Sequence, residues 1–243
     1  MVGVTKIKYS GNSRRTMAQQ EDRRMNTLTK MALGLIGQLK PTPLEFDSSK
    51  SIRLPAPIMV GGMPLMQALA ARQSQREFQV AVLPHQSLSD LLWAAGGVNR
   101  AELGGRTAPS AMNAQEVEVY AALATGLYRY EPTAHVLHLV AAADVRRVTG
   151  YQDFVDTAPL DLVYVADHGR MKMIPASHRE SYASIAAGAM AQNVYLYCAS
   201  AGLATVMRAW FDRAALGQSM GLDADQQILL TQTVGIPKAS ACA

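Results

Sequence analysis

Three strand-like stretches that follow one another with only short turns between them restrict the fold of this chain more than any other feature. They are VEVYAAL at 117–123, GLYRYE at 126–131 and HVLHLVAA at 135–142. All three are rich in β-branched, aromatic and other apolar residues, and the connections at 124–126 and 131–134 contain Gly, Thr and Pro, as turns do. Neighbouring strands joined by such short turns run in opposite directions. This region therefore predicts an antiparallel meander.

The remaining long segments add two strands and one long helix. LDLVYVAD at 160–167 and QQILLTQTVG at 226–235 have the composition of buried strands. Residues 181–201, rich in Ala, Gly and Ser, form the longest helical segment of the sequence. Helices placed around an antiparallel sheet predict an α+β fold.

Two shorter helices are expected before the meander. PLMQALAAR has Pro64 in a position suited to a first helical turn. SLSDLLWAAGG has Ser87 as its predicted N-cap and Asp90 at the third helical position, and it should stop at the Gly pair 96–97.

Composition indicates an ordinary soluble globular protein. The chain has 49% hydrophobic and 17% charged residues, which argues against disorder. Its apolar runs fall short of the roughly 18 residues that would suggest a membrane span, and two cysteines do not make a disulfide framework. We therefore expect no membrane partner and a cytoplasmic location, with export from a start at Met25 as the alternative.

The first 60 residues differ from the rest. Residues 1–22 resemble a polar tail, 23–39 an amphipathic helix, and the prolines from Pro41 onwards an extended arm. The main domain is then expected at 61–243. Eight of the 23 Lys and Arg residues precede residue 41. The basic net charge of +4 is thus partly a property of the tail, and we expect no nucleic-acid partner. A nucleic-acid-binding tail remains the alternative, and it predicts salt-sensitive DNA retention that removal of residues 1–40 abolishes.

Several catalytic motifs fail the conditions that their chemistry sets. GQSMG at 217–221 has the spacing of a serine-hydrolase elbow, but a helix-like segment precedes it and the last histidine lies upstream at His178. A glycine-terminated helix is the better interpretation. His135 and His138 would point to opposite faces of a strand, with no acidic or Cys cluster near them, so no metal site is expected. The Gly-rich fingerprints of Rossmann and P-loop proteins are absent from the sequence.

One cluster of polar residues does suggest a binding site. In ARQSQREF, Arg72, Ser74 and Arg76 occupy every second position at a helix end. Once the chain leaves the helix, this alternation directs all three side chains to one side. Two guanidinium groups and a hydroxyl suit a phosphate. The alternative is a solvated helix C-terminus, where cations are also favourable.

A second segment, RTAPSAMNAQ at 106–115, follows about 35 residues later. Together the two segments resemble the nitroreductase family of flavin mononucleotide (FMN) enzymes, which have an R-x-S-x-R/K segment and then a P-S-x-x-N-x-Q helix start. Later segments also resemble this family: APLDLVYVAD its central strand, AGAMAQNVYLYCASAGLATV its long helix, and QQILLTQTVGIPK its last core strand. The resemblance covers roughly residues 63–240. It implies a three-layer fold, with a central, mostly antiparallel sheet that is flanked by helices and completed in a homodimer.

The resemblance also implies the residues that hold the cofactor. Residues 72–76 would grip the ribityl phosphate, and 109–111 would reach the flavin from the other subunit. Asn113 and Gln115 would hold the helix start in place. The residues implied in flavin binding are Arg72, Gln73, Ser74, Arg76, Pro109, Ser110, Ala111, Asn113, Gln152, Ala209, Trp210 and Lys238.

Three of these assignments concern parts where the chain departs from the family or aligns loosely with it. TVMRAWFD at 205–212 matches the loop that faces flavin N5, through Ala209 and Trp210, where the family often has an acidic residue and a glycine. Gln152 would bond the pyrimidine edge of the flavin, and Arg208 is a further candidate for that edge. Many members carry basic phosphate ligands beyond the last strand, where this chain has only Lys238. Either Lys238 or Arg106 would replace them, and a salt bridge is the alternative role of Arg106.

The long helix allows two arrangements. Ala183, Ala187 and Ala191 lie four residues apart, as do Ser184 and Gly188, which gives narrow faces for a close helix neighbour. In the family this helix lies at the dimer interface. The alternative is a central helix buried within one subunit.

The function implied by the resemblance is an FMN-dependent oxidoreductase with a two-step cycle. NADH or NADPH would give a hydride to the flavin, and an acceptor such as a nitroaromatic or quinone would take the electrons. Because the flavin carries the chemistry, no catalytic acid/base pair is expected. One alternative is a flavin-dependent dehydrogenase or oxidase of a peptide or heterocycle. Another is a flavin-binding protein without turnover.

Overall fold

The computed structural model describes residues 50–238; the predicted tail and amphipathic helix lie outside the described residues. The helices are α1 (Leu65–Ala71), α2 (His85–Gly96), α3 (Ala176–Ala201) and α4 (Arg213–Met220). The strands are β1 (Ser51–Arg53), β2 (Val98–Arg100), β3 (Gly105–Arg106), β4 (Val117–Leu123), β5 (Gly126–Glu131), β6 (Val136–Ala141), β7 (Leu160–Asp167), β8 (Ala204–Arg208) and β9 (Gln226–Gly235).

Seven of these strands form one sheet in the order β1-β6-β5-β4-β7-β9-β8. Every pairing in it is antiparallel. The predicted meander is confirmed as β4, β5 and β6, which follow one another both in sequence and in space. Strands β7 and β9 extend the sheet from β4, and β8 and β1 are its two edge strands. Strands β2 and β3 form a separate antiparallel pair.

Helices cover both faces of the sheet, which confirms the predicted three-layer α+β fold. In β7 the side chains of Leu162 and Tyr164 join the core under α2 and α3. Val163 and Val165 join a second core with Phe211 and the residues of α4. A strand buried on both faces is apolar throughout, which explains why LDLVYVAD lacks an apolar–polar alternation.

The long helix α3 begins at Ala176, five residues earlier than predicted, with Pro175 as its N-cap. Its two small-residue faces have different surroundings. Ala183, Ala187 and Ala191 are buried in the core of the chain itself, as the central-helix alternative predicts. On the other face Ser184 is exposed and Gly188 is half-buried.

The predicted N-cap of α2 is wrong. The helix begins at His85 with Pro84 as N-cap, and Ser87 lies in its first turn. Pro84 has the extended backbone conformation of a helix-preceding residue, so the start does not depend on a serine cap. Asp90 accepts a hydrogen bond from the Ile58 backbone N–H (2.8 Å) and so fastens the segment before α1.

Residues 51–58, assigned from the sequence to the extended arm, contact the sheet and α2. Strand β1 pairs with β6 at the edge of the sheet, with Ile52 opposite Leu137. Ser89 of α2 donates a hydrogen bond to the Pro55 carbonyl (2.5 Å). The division of the chain at residue 60 stays a prediction, but these eight residues pack on the same body as the rest.

Two further sequence predictions concern α4 and metal binding. Helix α4 ends at Gly221, whose φ of +67° is left-handed, so GQSMG is the end of a helix.

The residues that the structure describes contain no cluster of three or more His, Cys, Asp or Glu placed to hold a metal ion. Within the same residues, no helix combines the length and apolar character needed to cross a membrane.

Candidate functional site

The arginine–serine–arginine segment leaves α1 and runs along the edge of the sheet. Arg72 is the C-cap of α1, with φ −59° and ψ 120°, so the chain is extended from this point. The Gln75 backbone N–H donates to the Thr205 carbonyl of β8 (3.0 Å). The extended backbone that the alternating pattern requires is therefore present, and it is fixed to the edge strand.

Arg72 and Ser74 meet at one side chain of α3. The Arg72 guanidinium lies 5.3 Å from the centre of the Tyr195 ring, within the range of a cation–π contact. Ser74 Oγ is 2.8 Å from Tyr195 Oη. Arg72 is half-buried, whereas Gln73, Ser74 and Arg76 are exposed and so accessible to a ligand.

The end of the described chain lies against the same segment. The Gln79 N–H donates to the Ile236 carbonyl (2.8 Å), and the Lys238 N–H donates to the Glu77 carbonyl (3.1 Å). Residues 236–238 thus run antiparallel to 77–79. In this ladder Lys238, the basic residue that follows the last strand, lies opposite Glu77. Glu77 is the residue directly after Arg76.

The RTAPSAMNAQ segment is a strained turn, and the predicted helix start is wrong. Residues Ala111–Asn113 form a single 3₁₀ turn, and β4 begins soon after it. Met112, Asn113 and Gln115 have φ values of 54°, 54° and 50°. These values lie in the left-handed region, which residues other than glycine rarely adopt. Such strain persists only where the surroundings enforce it and is concentrated at functional sites.

Hydrogen bonds from Gln115 enforce this conformation. Its backbone N–H donates to Ser110 Oγ (3.0 Å), and its side-chain amide donates to the Gly104 carbonyl (2.5 Å) and to Asn113 Oδ1 (3.1 Å). Gln115 is buried, so these bonds are shielded from water. Asn113 and Gln115 therefore hold this segment in place through each other.

Pro109, Ser110 and Ala111 line an open cleft of about 280 Å³ together with α3. The α3 side of the cleft consists of Tyr182, Ile185 and Ala186. Along α3, Ala186 precedes Tyr195 by nine residues, or roughly 13 Å at 1.5 Å per residue. Within one chain, the cleft and the Arg72–Ser74 segment thus meet α3 at well-separated points.

The predicted loop at 205–212 is wrong for its first half. Residues 205–208 belong to strand β8, which pairs with β9 along its whole length. Ala209 and Trp210 follow β8 and are exposed. The Trp210 ring, 73% exposed, contacts the Tyr151 ring at 5.3 Å between centroids. Next to Tyr151, the Gln152 side-chain oxygen is buried and has no hydrogen-bond partner among the described residues.

Arg208 has a structural role, so its assignment to the flavin edge is not retained. Its guanidinium is buried and forms an ion pair with Asp161 (2.6 Å). It also donates to the Thr149 carbonyl (2.8 Å) and to Thr233 Oγ1 (2.6 Å). Burial raises the pKa of the Asp161 carboxyl, and the Arg208 charge opposes that shift. A buried pair of this kind fixes β8 to β7 and β9.

Arg106 lies in a different charged environment from Arg72. Burial, and secondarily the charge of Arg170, lowers the pKa of Arg106 to about 10, while Glu118 and Glu131 act in the opposite direction. The Arg106 Nε has no hydrogen-bond partner within residues 50–238. In one chain, the charged groups that act on Arg106 are therefore Arg170 and residues of β4 and β5, whereas Lys238 adjoins the 72–76 segment.

Sequence reasoning missed Tyr195. It lies in NVYLYCASAG, where two tyrosines stand among mostly small and apolar residues. Two polar hydroxyls in such a helix must find partners when buried, and this is the signal that could have found the residue. The sequence could not show that the partner is Ser74, 121 residues away.

Comparison with known proteins identifies the family to which the chain is similar. The sequence model of the Nitroreductase family matches residues 69–236. A candidate nitroreductase of Methanocaldococcus jannaschii is 32% identical over 152 residues, which cover 58% of this chain and 76% of that protein.

Solved structures extend the similarity. The crystal structure of a candidate nitroreductase from Ralstonia eutropha is 52% identical, with a TM-score of 0.76, and the match covers 83% of this chain and 96% of that one. The NADPH:FMN oxidoreductase of Vibrio harveyi, solved with NAD⁺, is 19% identical with a TM-score of 0.55 over 72% of this chain and 69% of that one. At that identity the likeness concerns the fold alone.

Proposed function

The chain belongs to the nitroreductase family, and we propose that it is an FMN-dependent oxidoreductase that uses NADH or NADPH and works as a homodimer. The observation that carries the proposal is the convergence of Arg72 and Ser74 at Tyr195, with the Lys238 segment running alongside. The sequence pattern and the fold thus support the proposal, because they bring three distant parts of the chain together with side chains that would suit a phosphate.

The donor set fits the phosphate of FMN. Arg72, Arg76 and Lys238 supply positive charge, and arginine and lysine are the usual phosphate-binding side chains. Ser74 supplies a hydroxyl that reaches the surface of the site. Gln73, exposed between Arg72 and Ser74, would meet the flavin beyond the phosphate.

The groups near the end of β8 fit the flavin ring. The buried, unpartnered oxygen of Gln152 is an acceptor that an N–H of the pyrimidine edge would satisfy, and leaving such an atom unpaired is costly. Ala209 would offer backbone contacts, and the exposed Trp210 would border the space where an acceptor enters. Polar but uncharged groups suit a ring whose rim has both donors and acceptors.

The strained turn would complete the site in the partner subunit. Pro109, Ser110 and Ala111 line a cleft beside the exposed part of α3, and the φ values of Met112 and Asn113 show that this shape is imposed. In the proposed homodimer, these residues reach the flavin of the other chain. The shared site would make dimerisation a requirement for activity.

The redox chemistry would be that of FMN, which accepts a hydride from NADH or NADPH and passes the electrons to an acceptor such as a nitroaromatic or a quinone. The protein residues would bind and orient the cofactor, and the exposed Trp210 would border the side from which an acceptor enters. Because the flavin would carry the chemistry, the protein needs no acid/base pair.

An anaerobic reduction experiment tests the proposal. The protein is loaded with FMN, freed of excess, and treated first with NADH and then with NADPH while the visible absorbance is followed. We expect the flavin bands to bleach with one or both donors and to return on addition of a quinone. Bands that neither donor bleaches would contradict the NAD(P)H reaction and favour a dehydrogenase of another substrate or a protein that only binds flavin.

A further inference from the structure

The hydroxyl of Tyr195 joins two elements that are far apart in sequence. Its Oη lies 2.9 Å from the backbone nitrogen of Met207 in β8 and 2.8 Å from Ser74 Oγ. Tyr195 itself is buried and is carried by the 26-residue helix α3. Residues 72–76 and the edge strand β8 are therefore both bonded to one atom, Tyr195 Oη.

Two hydrogen bonds meet at the Tyr195 hydroxyl. A backbone N–H can only donate, so Met207 donates to Tyr195 Oη. The Tyr195 hydroxyl also has one proton of its own, and Ser74 Oγ lies within reach of it, in a contact in which either hydroxyl can donate. With Tyr195 as the donor, Ser74 accepts, and its own hydroxyl proton is free to point toward the exposed side of the segment.

The Arg72 contact acts on the same ring. The Arg72 guanidinium stacks over Tyr195 at 5.3 Å, which orders a long side chain that would otherwise sample many rotamers. A single buried tyrosine thus orients both the hydroxyl donor and one of the cations of the segment.

We propose that Tyr195 is a positioning residue that fixes Ser74 as a hydrogen-bond donor, and orders Arg72, for a phosphate, and that it thereby makes the site selective for FMN over riboflavin. This inference rests on the proposed function. Riboflavin has the same ring and ribityl chain but lacks the phosphate, so it does not use an oriented Ser74 proton. An acceptor-only ligand such as a phosphate oxygen does.

The test compares the affinities of Tyr195→Phe for the two flavins, measured by quenching of flavin fluorescence. Loss of one oriented hydrogen bond to a charged group should raise the Kd for FMN about tenfold or more. The Kd for riboflavin should change by less than about twofold. Any loosening of β8 at Met207 would weaken the binding of both flavins alike. In the proposed site β8 lies near the flavin ring, which FMN and riboflavin share, and not near the phosphate.

Tyr197→Phe is the matched control. It removes the same atom from the same helix, but the Tyr197 hydroxyl interacts with Ser87 and Asp90 of α2. We expect the ratio of the FMN and riboflavin Kd values to stay at the wild-type value in this variant. An equal rise of this ratio in both variants would show that the effect is not specific to Tyr195 and would overturn the proposal.

A double variant tests whether Tyr195 acts through Ser74. Ser74→Ala removes the donor directly, so adding Tyr195→Phe to it should raise the FMN Kd by clearly less than Tyr195→Phe does alone. The rise in the FMN Kd that remains would be the part of the Tyr195 effect that acts through Arg72. Full additivity of the two changes would show that Tyr195 does not position Ser74. If wild-type protein binds neither flavin, the proposed function itself fails, whereas wild-type FMN binding with an unchanged ratio in Tyr195→Phe refutes only the role of Tyr195.

Discussion

At the scale of single residues, Arg72 is the most direct test of the phosphate site. It supplies positive charge at the point where the segment leaves α1, and it is half-buried against Tyr195. Arg72→Ala should weaken FMN binding at least about tenfold, since hydrogen bonds to charged groups contribute about 1.5–3 kcal/mol. The measurement is the flavin content of the variant after gel filtration, together with its Kd for FMN.

Arg53→Ala is the control for net charge. Arg53 is an exposed arginine on β1, at the opposite edge of the sheet from β8. The two variants lose the same charge, so only Arg72→Ala should lose flavin. An Arg72→Ala protein with full FMN occupancy would refute the assignment of this residue to the phosphate.

Glu116, directly after the strained turn, links stability to pH. Its side chain is fully buried, and neither carboxyl oxygen has a hydrogen-bond partner among the described residues. Burial raises its pKa above the usual 4.5, against the smaller effects of its own backbone N–H and of Arg170. The folded protein thus holds this proton more tightly than the unfolded chain. The resulting stabilisation is complete below the unfolded pKa and is lost as the pH rises through the folded pKa.

Glu116→Gln removes this titration. The difference in unfolding free energy between variant and wild type should therefore shift in favour of the variant as the pH rises from the unfolded pKa of Glu116 through its raised folded pKa. The change amounts to about 1.4 kcal/mol for each unit by which the folded pKa exceeds the unfolded one. Urea unfolding at several pH values measures it, and a difference that does not vary with pH would contradict the buried, unpaired state of Glu116.

At the scale of elements, the exposed face of α3 is where we expect the second subunit. Inside one chain, a Cβ atom added to Gly188 would contact nothing within 4 Å. Gly188→Leu should thus be tolerated by the monomer, and the better helix propensity of leucine should even stabilise it by about 1 kcal/mol. If a partner helix approaches closely here, the same leucine should shift the protein toward monomers in sedimentation velocity.

Gln218→Leu, on the exposed surface of α4, is the control for adding a leucine to a helix surface. It should leave the association state unchanged. A Gly188→Leu protein that associates as strongly as wild type would place the interface elsewhere.

The elements also show what the sequence could and could not reveal. The strands β4 to β7 and β9 were predicted because their apolar runs are long and bounded by turn residues. The start of α3 was missed because its first residues, 176–180, are mostly exposed and carry no apolar periodicity. The strand β8 has five residues and follows the end of α3 directly, so its sequence alone resembles a loop. Its pairing with β9 decides its conformation.

The candidate site was predictable only as a set of segments. The alternation of Arg72 and Ser74 and the polar turn at 109–115 are local patterns, and local patterns can be read from a sequence. The bond between Ser74 and Tyr195, and the ladder between 77–79 and 236–238, join residues more than 100 positions apart. Such contacts follow from the packing of the whole fold, which no local pattern contains.

At the scale of the whole molecule, the proposed function requires that FMN bind in the folded protein. Purified protein should be yellow, or become so after incubation with FMN. After gel filtration its visible absorbance should correspond to about one FMN per chain, a stoichiometry that follows from one Arg72–Ser74 segment in each subunit. This absorbance spectrum is the most direct test. Retention of FMN at that ratio would agree with the proposed function, and a colourless protein that retains no FMN would contradict it and leave the fold and the family as the only conclusions.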